Sequence, residues 1–371
     1  MNGKRFLMRC LFFMLTLVLV ELTGRQWLAA GLRAMPSQRL PDNQETGFLQ
    51  SFIDRIPTQS DPSQARVVFL GSSPTYGVTI RDSANTYPAG FASALQQDRP
   101  GQSVKVYNLA AKGFLAADLS MTLAATLDRA DAFVIQLNYH TFSPELLAGT
   151  PIRHPDLPER LGVKIGADEA RWLGVRPTPV LNWNASIRSA LRQHWWFYRE
   201  REQLALKWLG QSPERWLYER FFPQAVAEDV DEPEARPFYE LKEARQLYIV
   251  QRYAKNASFE LSDDNTEWRF VKRMLKQLRQ AGKPAVFFVA PINAEALRFF
   301  EVMDWAQYQR NLAKLRASIE AEGFALIDVN LNSPLPEDLF ADISHTLDAG
   351  GQVFGPRLWE LSKSYLEPRL P

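Results

Sequence analysis

Cysteine is almost missing from this chain. Of 371 residues only Cys10 is one, which excludes an intramolecular disulfide and any metal cluster held by cysteines. Histidine is nearly as scarce: His140, His154, His194 and His345 are the four, and their spacing matches no metal-ligand pattern on a helix. No metal site and no cofactor is expected. An excess of one charge is lacking as well. Lys and Arg number 43 against 42 Asp and Glu, so no global field favours nucleic acid as a partner. Internal repeats and low-complexity segments are absent. The length suits one large domain or two small ones.

The N-terminus departs from this even composition. Lys4, Arg5 and Arg9 precede an uncharged run, Cys10-Leu-Phe-Phe-Met-Leu-Thr-Leu-Val-Leu-Val20, a basic region followed by an apolar one. The run is short of the ~20 apolar residues of a comfortable membrane span. Arg9 reaching back to the headgroups would lengthen it. Residues 1–34 are therefore expected to be a signal anchor or transmembrane segment. The alternatives are a cleaved signal, with Ala29-Ala30 as the candidate site, and a buried core helix. Under the first two, everything after about residue 34 lies across the cytoplasmic membrane, in the periplasm or extracytoplasmic space. Residues 35–64 read as a tether and lead-in helix, polar and carrying prolines at the start.

From residue 65 to 371 short apolar runs alternate with helical patterns. Arg66–Leu70, Val104–Leu109, Ala132–Leu137, Ala285–Val289 and Phe324–Val329 have the length and β-branching of buried parallel strands. Between the last three, a helix capped by Asp264 or Thr266 would bury Trp268, Val271, Leu275 and Leu278 and stop at Gly282. Another runs from about Met303 to Glu322 and closes at Gly323. Such alternation implies βαβ crossovers. The expected fold is α/β: a three-layer α/β/α sandwich on a parallel five-stranded, flavodoxin-like sheet. An insertion at 141–263 interrupts it, with a helical segment over about 185–209 and an acidic loop near 228–234. It holds six of the ten tryptophans, Trp172, Trp183, Trp195, Trp196, Trp208 and Trp216. These form either a small core of the insertion's own or a surface for lipid or a membrane partner.

Ligands of such sheets sit beyond the strand C-termini, and the chemistry-bearing residues cluster there in the sequence. Gly71-Ser72-Ser73 ends the first strand, where a small-residue turn exposes the next hydroxyl above the sheet and a helix N-terminus favours developing negative charge. Ser72 is the competing nucleophile. Gly113 follows the second strand and could offer a backbone N–H to an oxyanion, or merely turn the chain. Asn138 ends the third and could donate its amide to the same oxyanion, or cap the strand. Asp342-Ile-Ser-His345 puts a carboxylate and an imidazole in one short turn. A serine hydroxyl needs an imidazole to accept its proton, and the imidazole needs a carboxylate to fix its tautomer. His140 is a conceivable alternative base, but His345 has a carboxylate in short-range register.

Gly-x-Ser after the first strand, a glycine after the second, an asparagine after the third and Asp-x-x-His before the last helix together resemble the SGNH (GDSL-type) hydrolases. The resemblance covers roughly residues 65–140 and 284–365. It implies Ser73 as nucleophile, His345 as base and Asp342 as its partner, with an oxyanion hole from the Ser73 N–H, Gly113 and Asn138. Two blocks depart from the family: Gly71-Ser72-Ser73 stands for Gly-Asp-Ser, and Gln136-Leu-Asn138-Tyr139 for Gly-x-Asn-Asp. Gly-Ser-Ser, the N-terminal anchor, the Ala290-Pro-Ile-Asn293 strand end and the aromatic insertion are similar to the membrane-anchored D-alanyl-lipoteichoic acid transfer proteins and to alginate-type O-acetylation proteins. That likeness implies a serine acyltransferase or esterase acting on a cell-surface polysaccharide or other glycan, beside a multi-spanning O-acyltransferase partner. A non-catalytic binding or scaffold component of a polysaccharide modification or export complex is the alternative.

Overall fold

A computed structural model of the chain describes residues 39–40, 45–59, 61, 63–147, 152–175, 177, 183–210 and 235–371, with isolated positions between 8 and 24 and at 216 and 220. Most of the expected N-terminal anchor, residues 35–38 and 41–44 of the expected tether, and the acidic loop at 228–234 lie outside the described residues. Among the described residues no helix is long and apolar enough to cross a membrane.

Five strands form the sheet: β1 (Gln64–Leu70), β2 (Ser103–Asn108), β3 (Ala132–Leu137), β4 (Ala285–Val289) and β5 (Ala325–Ile327). They are all parallel, in the order β2-β1-β3-β4-β5. That is the flavodoxin-like order, and it reverses direction between β1 and β3. Because side chains alternate along a strand, each strand feeds two cores. Val68, Leu70, Phe133, Ile135, Phe287 and Val289 face one way; Val67, Phe69, Val134, Val286 and Phe288 face the other. Burial on both faces explains why the strands read as continuous apolar runs. β5 is shorter than its apolar run, since it pairs with β4 only from Val286↔Ala325 to Phe288↔Ile327.

Ten helices carry the argument: α1 (Glu45–Ile53), α2 (Ser73–Tyr76), α3 (Tyr87–Asp98), α4 (Ala116–Ala124), α5 (Trp183–His194), α6 (Trp196–Leu209), α7 (Glu243–Ala257), α8 (Thr266–Ala281), α9 (Trp305–Ala321) and α10 (Asp348–Leu366). Helices α4, α8 and α9 cover the first face of the sheet, and α3 and α10 the second. These are the three layers expected. The cap of α8 is neither Asp264 nor Thr266. It is Asn265, whose side chain accepts the Trp268 N–H at 3.0 Å and donates to the Phe142 carbonyl at 2.6 Å. Asp304 caps α9 through the Gln307 N–H.

The expected helix at 185–209 is two helices, broken at Trp195. The insertion's tryptophans divide: Trp196 is buried, as are Leu204 and Ala205, outside the two clusters that cover the sheet. Trp172 meets Phe270 of α8 edge-on at 5.8 Å, and Leu157, Leu173, Phe238 and Val250 belong to the same apolar cluster as Phe133 and Phe287. Trp183 and Trp208 remain 68% and 59% exposed.

The two helices of the second layer approach each other closely. Helices α3 and α10 meet through glycines: a Cβ on Gly355 would lie 2.7 Å from the Tyr87 carbonyl oxygen and 2.8 Å from the Gly90 Cα. The aromatic trio Phe69, Phe91 and Trp359 packs edge-to-face beneath this crossing, at 5.0 and 5.3 Å. Gly355→Ala is expected to lower stability by about 2–3 kcal/mol, since backbone must move to admit the methyl. Denaturant unfolding that leaves the midpoint unchanged would contradict the close approach.

Candidate functional site

Gln136, on β3, shapes the turn that ends β1. Its Oε1 accepts the Ser72 and Thr75 backbone N–H groups at 3.1 and 3.2 Å, and its Nε2 donates to the Ser72 hydroxyl at 3.1 Å. One buried amide from the neighbouring strand thus satisfies two backbone donors of the turn where the β1 ladder ends. Gly71 is required there, because a Cβ would sit 2.6 Å from the Thr75 Cβ and 2.7 Å from Gln136 Oε1. The result buries the Ser72 hydroxyl and turns Ser73 to the opposite side. Helix α2 after it is a single turn, so the helix dipole expected at this point is small.

The partner turn is built at the other end of the chain. Phe340 and Thr346 form an antiparallel bridge, and the Ala341 N–H donates to the His345 carbonyl at 2.8 Å. Within this loop Asp342 Oδ1 accepts the N–H groups of Ser344 and His345 at 2.7 and 2.8 Å. Three bonds dock it on the rest: Asn293 N–H to the Ile343 carbonyl at 2.8 Å, Thr79 hydroxyl to the Thr346 carbonyl at 2.7 Å, and Tyr87 Oη with Thr346 Oγ1 at 2.9 Å. Asp348, which opens α10, accepts from Arg81 N, Asp82 N and Asn85 Nδ2.

These two turns bring together residues 272 positions apart. His345 Nε2 lies 2.8 Å from Ser73 Oγ, and His345 Nδ1 lies 2.7 Å from Asp342 Oδ2. Burial pushes the Asp342 carboxyl up, but attraction to His345 and the hydrogen bonds it accepts outweigh that, leaving it below its ordinary value. An ionised Asp342 only accepts, so the proton sits on Nδ1 and leaves Nε2 as the acceptor of the Ser73 O–H. The arrangement can therefore take a proton from a hydroxyl and store it on an imidazole held by a carboxylate.

Asn138 ends β3 beside Ser72, with Nδ2 3.4 Å from Ser72 Oγ. Its second amide hydrogen has no acceptor among the described residues. Gly113 is exposed with φ +72° next to Arg153. Among the described residues, neither its N–H nor that of Ser73 is bonded to a protein acceptor. His140 lies on the same cavity as His345 but has no carboxylate in hydrogen-bond range among the described residues. It packs against the Tyr253 ring at 5.4 Å, and burial first, then the nearby His345, pushes it down to about 4.

Ser73, Asp342 and His345 line a cavity of ≈ 280 Å³ whose far wall is α7, through Arg245, Tyr248, Ile249, Arg252, Tyr253 and Asn256. Their spacing is one helical stripe. The sequence reading missed this wall, although a stripe of mixed arginine, tyrosine and isoleucine at positions three and four apart was the available signal. It also passed over Gln136 as a structural residue, for which no local signal exists.

No family model and no curated protein matches the sequence. Among solved structures the chain is similar to TesA, at 12% identity and a TM-score of 0.31, over 82% of this chain and 99% of that one.

His140 gives a pH test of the site's packing. The unfolded chain takes up this proton near 6.5 and the folded one only near about 4. Between those values the unfolded state holds more protons, so stability falls as pH falls. His140→Phe is expected to flatten the unfolding midpoint across that window. A slope identical to wild type would show that His140 is not desolvated in solution.

Proposed function

We propose that the chain is a serine esterase or acyltransferase of the SGNH type, with Ser73 as nucleophile, His345 as general base and Asp342 as its orienting partner. The observation that carries this reading is the unbroken path from Ser73 Oγ through both ring nitrogens of His345 to Asp342, at 2.8 and 2.7 Å. In the proposed reaction His345 Nε2 takes the hydroxyl proton as Ser73 Oγ bonds to an ester or thioester carbonyl carbon. The carbonyl oxygen, now negative, is met by the N–H groups of Ser73 and Gly113 and by the Asn138 amide. Each such donor is worth ~3–4 kcal/mol at a transition state. Collapse expels the alcohol or thiol, which leaves with the proton from His345, and an acyl-Ser73 remains. A second hydroxyl, from a glycan or from water, repeats the sequence in reverse and frees Ser73.

The finer reading is an enzyme tethered to the cytoplasmic membrane by its N-terminus, working on its outer side on acyl groups of a surface polysaccharide. The basic then apolar start of the sequence supports the tether, and a multi-spanning O-acyltransferase is the proposed partner. A cavity wall with arginine, tyrosine and asparagine on α7 supports a polar acceptor such as a sugar hydroxyl.

The first test is labelling of the folded protein by a fluorophosphonate. Wild type is expected to label at one site and Ser73→Ala not at all, while Asp342→Asn should label and turn over a simple ester ~10³–10⁴-fold more slowly, the loss expected when the imidazole tautomer is no longer held. Absence of labelling in folded wild type, or equal labelling of Ser73→Ala, would leave the binding or scaffold reading in place instead.

A further inference from the structure

Asn138 is held in an unusual way for a residue expected to meet an oxyanion. Its Oδ1 is buried without a partner, and Nδ2 has only the 3.4 Å contact to Ser72. The fixing is done through its main chain. The Asn138 carbonyl accepts the Thr141 N–H at 3.0 Å and the Thr141 hydroxyl at 2.7 Å. The same hydroxyl oxygen lies 3.0 Å from Glu267 Oε2, on α8. A hydroxyl has one hydrogen and a carbonyl has none. If that hydrogen goes to Asn138, the contact with Glu267 is a hydrogen bond only when Glu267 supplies the hydrogen.

We propose that Glu267 is a positioning residue that works in its neutral form, donating Oε2–H to Thr141 so that the Thr141 hydroxyl stays committed to the Asn138 carbonyl. The inference rests on the reading of Asn138 as an oxyanion donor. Its surroundings agree with it. Glu267 is 2% exposed and lies against Phe114, Leu119 and Phe142 around a small void that also touches Asn138. The Ala116 N–H, at 2.9 and 3.0 Å from its two oxygens, is the backbone donor it meets. Burial pushes its carboxyl up to about 8, the bonds from Ala116 and Thr141 pull the other way, and the like charge of Asp118 adds to the rise.

Asp118 on α4 is buried, raised by burial first, and accepts the N–H groups of Leu115, Arg153 and His154. His154 stands beside Asp118, and His140 precedes Thr141 in the turn. On α8 itself Arg273 is committed to Glu169 at 2.7 Å.

Loss of the Glu267 proton has a defined consequence. The carboxylate then accepts the Thr141 hydrogen, and the Asn138 carbonyl keeps only the main-chain bond. The oxyanion donor loosens as pH rises through the Glu267 titration, which adds an alkaline limb to kcat/KM. Glu267→Gln keeps the geometry and always presents a donor to Thr141 and an acceptor to Ala116. Wild type is expected to lose about fivefold in kcat/KM for a simple ester above pH 8, the equivalent of one hydrogen bond. Glu267→Gln should lack that limb while keeping the acid one, and Thr141→Val should be lowered about fivefold at all pH without the limb. In parallel, infrared difference spectra of wild type should show a buried carboxylic-acid band at pH 7 that vanishes at high pH and is missing in Glu267→Gln.

Superimposable pH profiles for wild type and Glu267→Gln, or an ionised Glu267 at pH 7, would overturn the proposal. A protein that shows the infrared band but turns over no ester would instead count against the Ser73 reading, with the proton on Glu267 upheld.

Discussion

Helices α3 and α10 cross without a side chain between them at Gly90 and Gly355, and the geometry at Ser73 depends on that crossing. Helix α3 belongs to the chain leaving β1, which carries Ser73. Helix α10 belongs to the chain leaving the Asp342–His345 turn. Fixing one helix on the other at van der Waals distance fixes the two turns at their ends. The polar contacts of Thr79, Tyr87 and Asp348 then remove the remaining freedom. A hydrogen bond of 2.8 Å between residues 272 apart needs that much restraint, because closing so long a loop costs entropy that no single bond repays.

The two strands flanking the reversal in sheet order, β1 and β3, deliver the rest of the site. Parallel strands end on the same side, so the residues following them converge. Gln136 uses this closeness by reaching from β3 to hold the turn after β1, in place of a backbone partner. Two residues later Asn138 arrives at the same turn. Polar side chains in this layer follow a simple division. On the Ser73 side, Asp342 is held in its charged form by His345 and by the N–H groups it accepts. Burial pushes the His140 imidazole down and the Glu267 carboxyl up, each toward its neutral form.

Much of this was legible in the sequence, for identifiable reasons. The strands could be read because a parallel sheet covered on both faces demands unbroken runs of apolar, β-branched and aromatic residues, and Ala132–Leu137 and Ala285–Val289 coincide with the observed strands residue for residue. Ser73, Asp342 and His345 could be picked out because histidine is so rare here and because one of the four follows a carboxylate by three positions. The cap of α8 could not. Asp263, Asp264, Asn265 and Thr266 are all chemically able, and only the bond from Asn265 to the Phe142 carbonyl decides among them. Glu267 was illegible for a related reason. In sequence it is an acidic residue in the first turn of a helix, an ordinary exposed position, and only tertiary packing against α4 buries it. The break at Trp195 and the role of α7 as a cavity wall likewise depend on contacts between segments with no shared local pattern.

The central claim is that the Ser73 hydroxyl, rather than its neighbour's, is the activated one. The most direct measurement is peptide mass mapping after brief exposure to an activated acyl ester and an acid quench. An acyl group on Ser73, abundant in wild type and scarce in His345→Ala, is the predicted result. An adduct on Ser72, or the same low acylation of Ser73 with and without the imidazole, would contradict it.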